Sequence, residues 1–389
     1  MSNVKISYSR QYIFKKDIDS VSKTLKSEYI TQGPTVNKFE KLLAKRINSK
    51  YTVAVNSATS ALHIACIALE LKKNDYLWTS TNTFVASSNC ALYLGAKVDL
   101  IDIDIKTYNI DTKLLEKKLI VAKKNGKLPK ILVTVCFGGS SCEMDEICKL
   151  SKQYGFRIID DASHALGGSY NDYKIGSNKY SDLTIFSFHP VKMITTGEGG
   201  AISVNNKKIY DKLIMLRSHG ITRKLSHLKN KNKPKWYFEQ KLLGYNYRLT
   251  EFQAALGIGQ LKHLNFFLKQ RKKIASTYSK RLKNLPLILP KISKKNISSF
   301  HLYVILTHLK NGQRNQLYNY LRKKNIETNV HYIPIYSHPY YKKFKFKKEN
   351  FKNTELYYKS CLSLPIHPLM SQNNIQKVIK EITKFFKDK

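Results

Sequence analysis

Short apolar runs alternate with helical patterns between about residues 50 and 205. The first run, Thr52–Val55, leads into a helical pattern over Ala61–Leu69. Further runs, rich in β-branched and aromatic residues, follow at Tyr76–Trp78, Ala96–Leu100, Ile131–Val135, Phe156–Ile159, Leu183–Phe186 and Gly200–Val204. Strands separated by helical segments predict an α/β fold with a mostly parallel central sheet flanked by helices. Since ligands of such sheets bind at the carboxyl ends of strands, candidate site residues should follow these runs.

The pattern changes after residue 205 and predicts a second, smaller region. A charged stretch, Leu228–Trp236, predicts a mobile loop. The chain then shows a long helical pattern from Thr250 to about Lys283, an apolar run at Ser299–Ile305, a helix near Arg314–Lys324 and a closing helix from Asn373. With 389 residues, the chain exceeds a typical single domain. We expect a large domain with an N-terminal arm over residues 1–265 and a smaller C-terminal α+β domain over residues 266–389.

The net charge of +41 raises the question of a nucleic-acid partner. By count, 10 of the 68 basic residues are arginine, and the 58 lysines are spread along the whole chain. Because arginine is the side chain suited to bidentate recognition of phosphates and bases, its scarcity argues against nucleic-acid binding. The lysines are better explained as solvated surface residues. A positive surface would still favour anionic substrates.

The sequence also bears on compartment and metal binding. No run approaches the roughly 18 apolar residues of a membrane span, and Met1–Ile6 lacks the apolar segment of a secretory signal. The six cysteines form no CxxC pair, and no histidine stands near them at a zinc-ligand spacing. These features predict a cytoplasmic protein with reduced cysteines, no metal site and no membrane contact.

A lysine and a carboxylate follow two of the predicted strands. Lys192 comes shortly after the run Leu183–Phe186, and Asp161 follows the run that begins at Phe156. A lysine after an apolar run is by itself usually a solvated strand end. The pair, however, meets the needs of pyridoxal 5′-phosphate (PLP), which takes a lysine to hold its aldehyde and move protons, and a carboxylate to keep its ring nitrogen protonated. Adjacent Asp160 competes for the second role, but side chains alternate along a strand, so one carboxylate alone can face the ligand.

Other segments near these strands suit a phosphate and a flat ring. Asn56–Leu62 joins a strand to a helix and leaves amides free at a helix N-terminus, although ordinary capping is the commoner reason for such a sequence. Phe84 could stack on a ring or lie in the core. His164 could bond a ring oxygen and Ser187 the phosphate, with a surface histidine and a solvated serine as alternatives. The glycines of Thr195–Gly200 permit close approach to a ligand, but the loop is not a Walker A motif.

Five segments, spread over much of the chain, form a pattern known from one enzyme family. They are Asn56–Leu62, Asp161–Ala165, Phe186–Lys192, Thr196–Gly200 and Gly244–Ala255. Together they are similar to the DegT/DnrJ/EryC1/StrS sugar aminotransferases. The resemblance implies a fold-type I PLP-dependent transferase and a nucleotide-sugar transaminase.

The resemblance also implies cofactor contacts, position by position. Lys192 would form the Schiff base with PLP, and Asp161 would contact the pyridine nitrogen. The other cofactor contacts would be Phe84 on the ring, His164 near its hydroxyl, Ala58, Thr59 and Ser187 at the phosphate, and Asn246 and Arg248 from the neighbouring subunit. The active unit implied is a homodimer with shared active sites.

The nucleotide-sugar pocket is likewise implied by the resemblance. Its lining would be Tyr8, Tyr29, Thr31, Ser187, Asn246, His331, Tyr332, Ile333 and Pro334. Three places depart from the common family pattern. Ala58 replaces a frequent glycine, Asp160 replaces a frequent glutamate, and Cys136–Cys142 replaces a different loop sequence.

Further segments resemble one subgroup of the family, and this resemblance implies a substrate. They are Leu25–Gly33, Arg217–Arg223, Trp236–Glu239, His301–Val304, Val330–Tyr336 and His338–Tyr341. L-glutamate would donate an amino group to C4 of a UDP-linked 4-keto-6-deoxy-N-acetylhexosamine. The product would be UDP-4-amino-4,6-dideoxy-N-acetyl-β-L-altrosamine, an intermediate of pseudaminic acid biosynthesis. The alternative is a related transaminase with another sugar or nucleotide, such as a GDP-perosamine synthase. A PLP-dependent sugar dehydratase would carry histidine at the position of Lys192, which argues against that activity.

Overall fold

A seven-stranded sheet forms the centre of the larger part of the chain. The structure is a computed structural model that describes residues 5–223, 226, 228–230, 232–234, 236–307 and 312–387. The strands of the whole structure, seven of which form the central sheet, are β1 (Tyr51–Val55), β2 (Tyr76–Ser80), β3 (Lys97–Ile101), β4 (Ile131–Val135), β5 (Arg157–Asp161), β6 (Ser169–Tyr170), β7 (Tyr173–Lys174), β8 (Leu183–Ser187), β9 (Gly200–Val204), β10 (Ile221–Thr222), β11 (Glu239–Gln240), β12 (Leu287–Ile288), β13 (Asn296–Ile297), β14 (Tyr303–Thr307) and β15 (Cys361–Leu364). The central order is β1-β9-β8-β5-β4-β2-β3, in which β9 runs antiparallel to its neighbours and the other pairs are parallel. The predicted mostly parallel sheet is confirmed.

Helices cover both faces of this sheet. The helices of the whole structure, including those of the C-terminal region, are α1 (Lys15–Leu25), α2 (Pro34–Ile47), α3 (Ala58–Ala68), α4 (Ala86–Leu92), α5 (Thr112–Lys124), α6 (Met144–Tyr154), α7 (Lys207–Arg217), α8 (Glu251–Lys262), α9 (Leu264–Leu282), α10 (Gln313–Lys323), α11 (Lys352–Ser360) and α12 (Gln372–Lys387). Val53 and Val55 pack in the layer of α3, α4 and α7, whereas Ala54 between them packs in the layer of α2. This alternation explains why the strands read as unbroken apolar runs, since a strand covered on both faces needs apolar residues at every position.

The C-terminal region has its own small sheet and core. The sheet has the order β12-β14-β15 and is antiparallel. Helix α12 buries a stripe at helical spacing, and this stripe packs against α9, α10 and the small sheet through Ile375, Val378, Ile379 and Ile382. The division into domains at residues 265 and 266 stays a prediction.

The long helix predicted from Thr250 to Lys283 is two helices, so that prediction is wrong in its middle. His263 ends α8 and precedes α9, with φ −93° and ψ 0°, outside the helical range. Its ring stacks on Phe14 with centroids 3.8 Å apart. Helix α8 packs on α1 and α2, while α9 continues into the C-terminal core, so the change of direction lets each helix bury its own face.

Only the second part of the apolar run Ser299–Ile305 is a strand, because β14 begins at Tyr303. Phe300 has φ +50°, which extended backbone does not allow. The amides of Ser299 and Leu302 bond the carbonyls of Gly139 and Gly138. This short segment is therefore tied to the central sheet's loops and reaches the candidate site before the strand starts.

Two further expectations concern loops and membranes. The charged stretch 228–236 lies partly outside the described residues, so its predicted mobility stays a prediction. Among the helices that the structure describes, none combines the length and apolar character that crossing a bilayer requires.

Candidate active site

A cavity of about 520 Å³ opens at the carboxyl ends of three central strands. Val135 ends β4, Asp161 ends β5 and Ser187 ends β8, and all three residues line the cavity. The start of α3 and segments around residues 8, 83–86, 163–164, 189–198, 301 and 329–332 also line it. The cavity therefore lies where ligands of parallel sheets bind.

The structure brings most of the predicted residues into this cavity and leaves others outside. Those that line it are Tyr8, Ala58, Thr59, Phe84, Asp161, His164, Ser187, Lys192, His331 and Tyr332. Those that do not are Tyr29, Thr31, Asn246, Arg248, Ile333 and Pro334.

Lys192 has an amine suited to nucleophilic and proton-transfer chemistry. It follows β8 in a turn closed by a bond from its own amide to the carbonyl of His189. Burial lowers the pKa of Lys192 to about 8, with Asp161 opposing this shift and Arg271 adding to it. The uncharged amine is therefore far more populated near neutral pH than for an ordinary lysine.

Asp161 is buried and held by hydroxyl donors. Ser87 donates to Oδ2 at 2.7 Å, and Ser163 donates to Oδ1 through its hydroxyl at 2.6 Å and its amide at 3.2 Å. Thr83 in turn lies 2.8 Å from the hydroxyl of Ser87. These bonds fix the direction of the carboxylate and stabilise its charge in a buried place.

Asp160 points to the other face of β5, as alternation requires. Thr134 donates to it at 2.8 Å, and the Cys136 thiol lies 3.4 Å from the same oxygen. The carboxyl is 5% exposed and has no salt bridge among those of the described residues, so burial raises the pKa of Asp160 to about 6. This carboxylate does not line the cavity, whereas Asp161 does.

Asp160→Asn should stabilise the fold at pH 8 more than at pH 4. Since the folded-state pKa, about 6, exceeds the ordinary value of 3.8, the folded state binds a proton more tightly than the unfolded state. Stability therefore falls as pH rises from about 4 to 6, by up to ~3 kcal/mol in total. The amide has no charge to bury, so it avoids this loss. Urea unfolding of both proteins at both pH values checks this, and an equal difference at the two pH values would contradict it.

The start of α3 and the start of β9 form a cradle suited to an anion. Ser57 caps α3 by accepting a bond from the Ser60 amide. The amides of Ala58 and Thr59 belong to the first turn, where helical N–H groups lack partners within the helix. A Cβ at Gly200 would lie 2.6 Å from the Ala58 nitrogen, so glycine is what lets β9 approach this turn.

His164 and Tyr332 form one hydrogen-bonded pair on the cavity wall. The Tyr332 hydroxyl lies 3.1 Å from His164 Nε2, and the Gly138 amide donates to His164 Nδ1 at 3.4 Å. Burial lowers the pKa of His164 well below its ordinary value, and Lys192 and His331 add to this. The imidazole is therefore neutral at physiological pH. Phe84 is 59% exposed, and its ring lies 6.2 Å from that of Tyr332.

Tyr8 and His331 also line the cavity, next to Tyr332. Their ring centroids lie 5.9 Å apart. His331 Nδ1 lies 2.8 Å from the hydroxyl of Ser363 in β15, and burial lowers the pKa of His331 to about 3. This histidine is thus a neutral hydrogen-bonding group.

The predicted residues outside the cavity lie in three segments, one of which, Ile333 and Pro334, directly follows the cavity residue Tyr332. Tyr29 and Thr31 are exposed between α1 and α2. Asn246 is exposed, and Arg248 donates to Ser218 at 3.0 Å. The roles of Asn246 and Arg248 in a neighbouring subunit's site stay predictions. So do the roles of Tyr29 and Thr31 in the nucleotide-sugar pocket.

Several residues of the site were not predicted from the sequence. Ser87 and Ser163 hold Asp161, and His301 lines the cavity with its ring 4.3 Å from that of His164. Ser163 lies beside Asp161 in the chain and could have been suspected. His301 begins the segment His301–Val304 that resembles the family, so it too could have been suspected. Ser87 carries no local signal, because it reaches Asp161 through the fold alone.

The described residues also bear on metal binding. Within these ranges, no group of three or more histidine, cysteine, aspartate or glutamate side chains could hold a metal ion. The cysteines there are free thiols, and all but Cys148 are buried.

Comparisons with known proteins agree with this geometry. A UDP-4-amino-4,6-dideoxy-N-acetyl-beta-L-altrosamine transaminase of Campylobacter jejuni is 44% identical over 368 residues, 94% of this chain and 93% of the relative. A Helicobacter pylori aminotransferase, described as involved in the biosynthesis of pseudoaminic acid, superposes with a TM-score of 0.90 at 32% identity, covering 99% of this chain and 100% of that one. The PLP form of a Streptococcus pneumoniae protein described as a sugar aminotransferase superposes with a TM-score of 0.89 at 26% identity, covering 99% of both chains.

The match to a family extends over nearly the whole chain. The DegT/DnrJ/EryC1/StrS aminotransferase family matches residues 11–383. The similar solved structures are aminotransferases of the same architecture, which confirms the predicted fold class. The chain is an aminotransferase and belongs to the DegT/DnrJ/EryC1/StrS family.

Proposed function

We propose that this aminotransferase uses PLP to move an amino group from L-glutamate to C4 of a UDP-linked 4-keto-6-deoxy-N-acetylhexosamine. The product is then UDP-4-amino-4,6-dideoxy-N-acetyl-β-L-altrosamine. The proposal is carried by one observation, the meeting of Lys192, Asp161 and the N-terminus of α3 in one cavity. An amine, a carboxylate and an anion-binding helix end are the groups that PLP requires.

The residues present fit PLP. Lys192 would hold the aldehyde carbon, Asp161 the pyridine nitrogen, and the amides of Ala58 and Thr59 the phosphate. Phe84 offers a ring face for stacking. When bound, PLP supplies an electron sink for the carbon that carries the amino group.

Lys192 is the group best placed to move protons at the reacting carbons. With a pKa of about 8, its amine can accept a proton from the donor's Cα near neutral pH, and in the separate half-reaction with the sugar its ammonium form can deliver a proton to the acceptor's C4. His164 and His331 line the same cavity, but burial lowers the pKa of both, so both rings are neutral at that pH and take up a further proton less readily than the lysine amine does. Lys192 is therefore the residue that transfers these protons.

The sugar and nucleotide are inferred from relatives. The Campylobacter jejuni relative bears the name of a UDP-sugar transaminase, and the Helicobacter pylori structure is described as part of pseudoaminic acid biosynthesis. The net charge of +41 is consistent with attraction of a diphosphate.

The direct test is mass spectrometry of nucleotide sugars after incubation with PLP and L-glutamate. Matched UDP- and GDP-linked 4-keto-6-deoxy sugars serve as acceptors. We expect amination of the UDP-linked N-acetylated sugar and release of 2-oxoglutarate. Amination of the GDP-sugar alone would favour a perosamine-type activity. Absence of amination with every acceptor, although PLP is bound, would overturn the substrate assignment.

We further propose a homodimer in which each site takes Asn246 and Arg248 from the partner, since both lie outside their own chain's cavity. Mixing Lys192→Ala subunits with Asn246→Ala/Arg248→Ala subunits should then restore activity. Random pairing makes half of the dimers mixed, each with one intact site, so about a quarter of wild-type activity is expected. Native mass spectrometry verifies subunit exchange. Exchange without recovered activity would show that the sites are not shared in this way.

A further inference from the structure

The hydrogen bonds around His164 fix the position of its proton. The Gly138 amide can only donate, so His164 Nδ1, 3.4 Å away, must accept. Because the buried imidazole is neutral, its single proton sits on Nε2. That nitrogen then donates to the Tyr332 oxygen at 3.1 Å. Both nitrogens of His164 are thus engaged within the protein.

This arrangement leaves the Tyr332 hydroxyl with a hydrogen to give. Its oxygen accepts from His164, which is its hydrogen-bond partner among the described residues. Burial raises the pKa of Tyr332 far above its ordinary value, and the Asp161 charge adds to this, so the phenol keeps its proton. The side chain lines the same cavity as Asp161 and Lys192. A donor therefore faces the ligand space from Tyr332.

The segment that carries Tyr332 is held firmly. The Tyr332 amide donates to Asn82 at 3.1 Å, and the Tyr357 hydroxyl donates to the carbonyl of His331 at 2.6 Å. Ser363 holds the His331 ring at 2.8 Å. These bonds come from three parts of the chain, so the hydroxyl is presented in one place.

We propose that Tyr332 donates the hydrogen bond to the ring oxygen of the bound pyridoxal or pyridoxamine, with His164 as the positioning residue that orients this hydroxyl. The proposal rests on the proposed use of PLP, and it moves the contact with the ring oxygen from the imidazole to the phenol. The ligand group is an anionic aromatic oxygen, which is the acceptor that a fixed O–H best stabilises.

The test measures how strongly the protein discriminates between pyridoxamine phosphate and 3-deoxypyridoxamine phosphate, which lacks the ring oxygen. Neither forms a covalent bond with Lys192, so affinity reports the contact without activity. Wild type should prefer the parent compound by about 10- to 100-fold, the range of a hydrogen bond to a charged group. Tyr332→Phe should lose this preference. Tyr336→Phe is the control, because its buried hydroxyl bonds Glu355 at 2.8 Å outside the cavity and should leave the preference intact.

The outcomes separate this proposal from the proposed function. Failure of wild type to bind either compound would overturn PLP use itself. Binding with full preference retained in Tyr332→Phe would overturn the tyrosine contact alone. A second measurement uses wild type only, so a misfolded variant cannot affect it. Nitrogen NMR of the protein with labelled histidine should show that the His164 proton lies on Nε2. A proton at Nδ1 would overturn the proposal.

Discussion

Lys192→Ala should lower transaminase activity by roughly 10⁴-fold, the upper range for loss of a group that moves protons. Wild type mixed with PLP should show the near-visible absorption of PLP bound through a lysine, and the variant should not. The physical reason is that no other amine lines the cavity within the part of the chain that the structure describes. Steady-state kinetics and absorption spectra check both effects.

A surface lysine provides the control for this variant. Lys208 is exposed in α7, so Lys208→Ala should keep wild-type activity and absorption. Lys192→Arg keeps the positive charge but not a neutral nucleophile, so it should resemble Lys192→Ala. If Lys192→Ala kept the absorption band, another amine would hold the cofactor.

The strands of the central sheet could be predicted because their signal is local. Each lies between helices on both faces, so each appears in the sequence as a run of apolar residues. Every strand predicted between residues 50 and 205 is present with ends within two residues of the prediction. Lys192 and Asp161 could be singled out for the same reason, since strand ends gather at one edge of the sheet.

Other features depend on contacts between distant parts of the chain. At the break between α8 and α9, His263 stacks on the ring of Phe14, and the segment before β14 is bonded to Gly138 and Gly139. Ser87 meets Asp161 only because α4 packs beside β2 and β4. Nothing near these residues in the sequence signals such partners, so pattern reasoning could not find them.

Arg271 shows how the C-terminal region becomes part of the site. Its guanidinium is fully buried in α9 and bonds the carbonyls of Phe300, His301 and Ile366 at 3.3, 3.1 and 2.8 Å. Its charge also contributes to the lowered pKa of Lys192. One side chain thus fixes the segment that carries His301 and favours the neutral form of the reacting amine.

Asp161→Asn should reduce activity by roughly 10²- to 10³-fold, the typical effect of removing one preorganised electrostatic group. Ser163 can still donate to the amide oxygen at the place of Oδ1, and the Ser87 hydroxyl can turn toward Thr83 and accept from the new NH2 group, so the side chain should stay in place while its charge is lost. An uncharged partner does not keep a pyridine nitrogen protonated, and the ring then accepts electrons poorly. The variant should therefore still bind PLP through Lys192 and show its absorption, yet react slowly in single-turnover kinetics.

Asp160→Asn is the matched control, because it makes the same chemical change one residue away on the opposite face of β5. Its carboxyl bonds Thr134 and lies outside the cavity, so activity should stay within a few-fold of wild type. The contrast tests which carboxylate faces the cofactor, independently of any general effect of removing a buried charge. Equal losses in both variants would contradict the assignment of Asp161. So would a large loss in Asp160→Asn with normal activity in Asp161→Asn, which would move the electrostatic role to the other face of the strand.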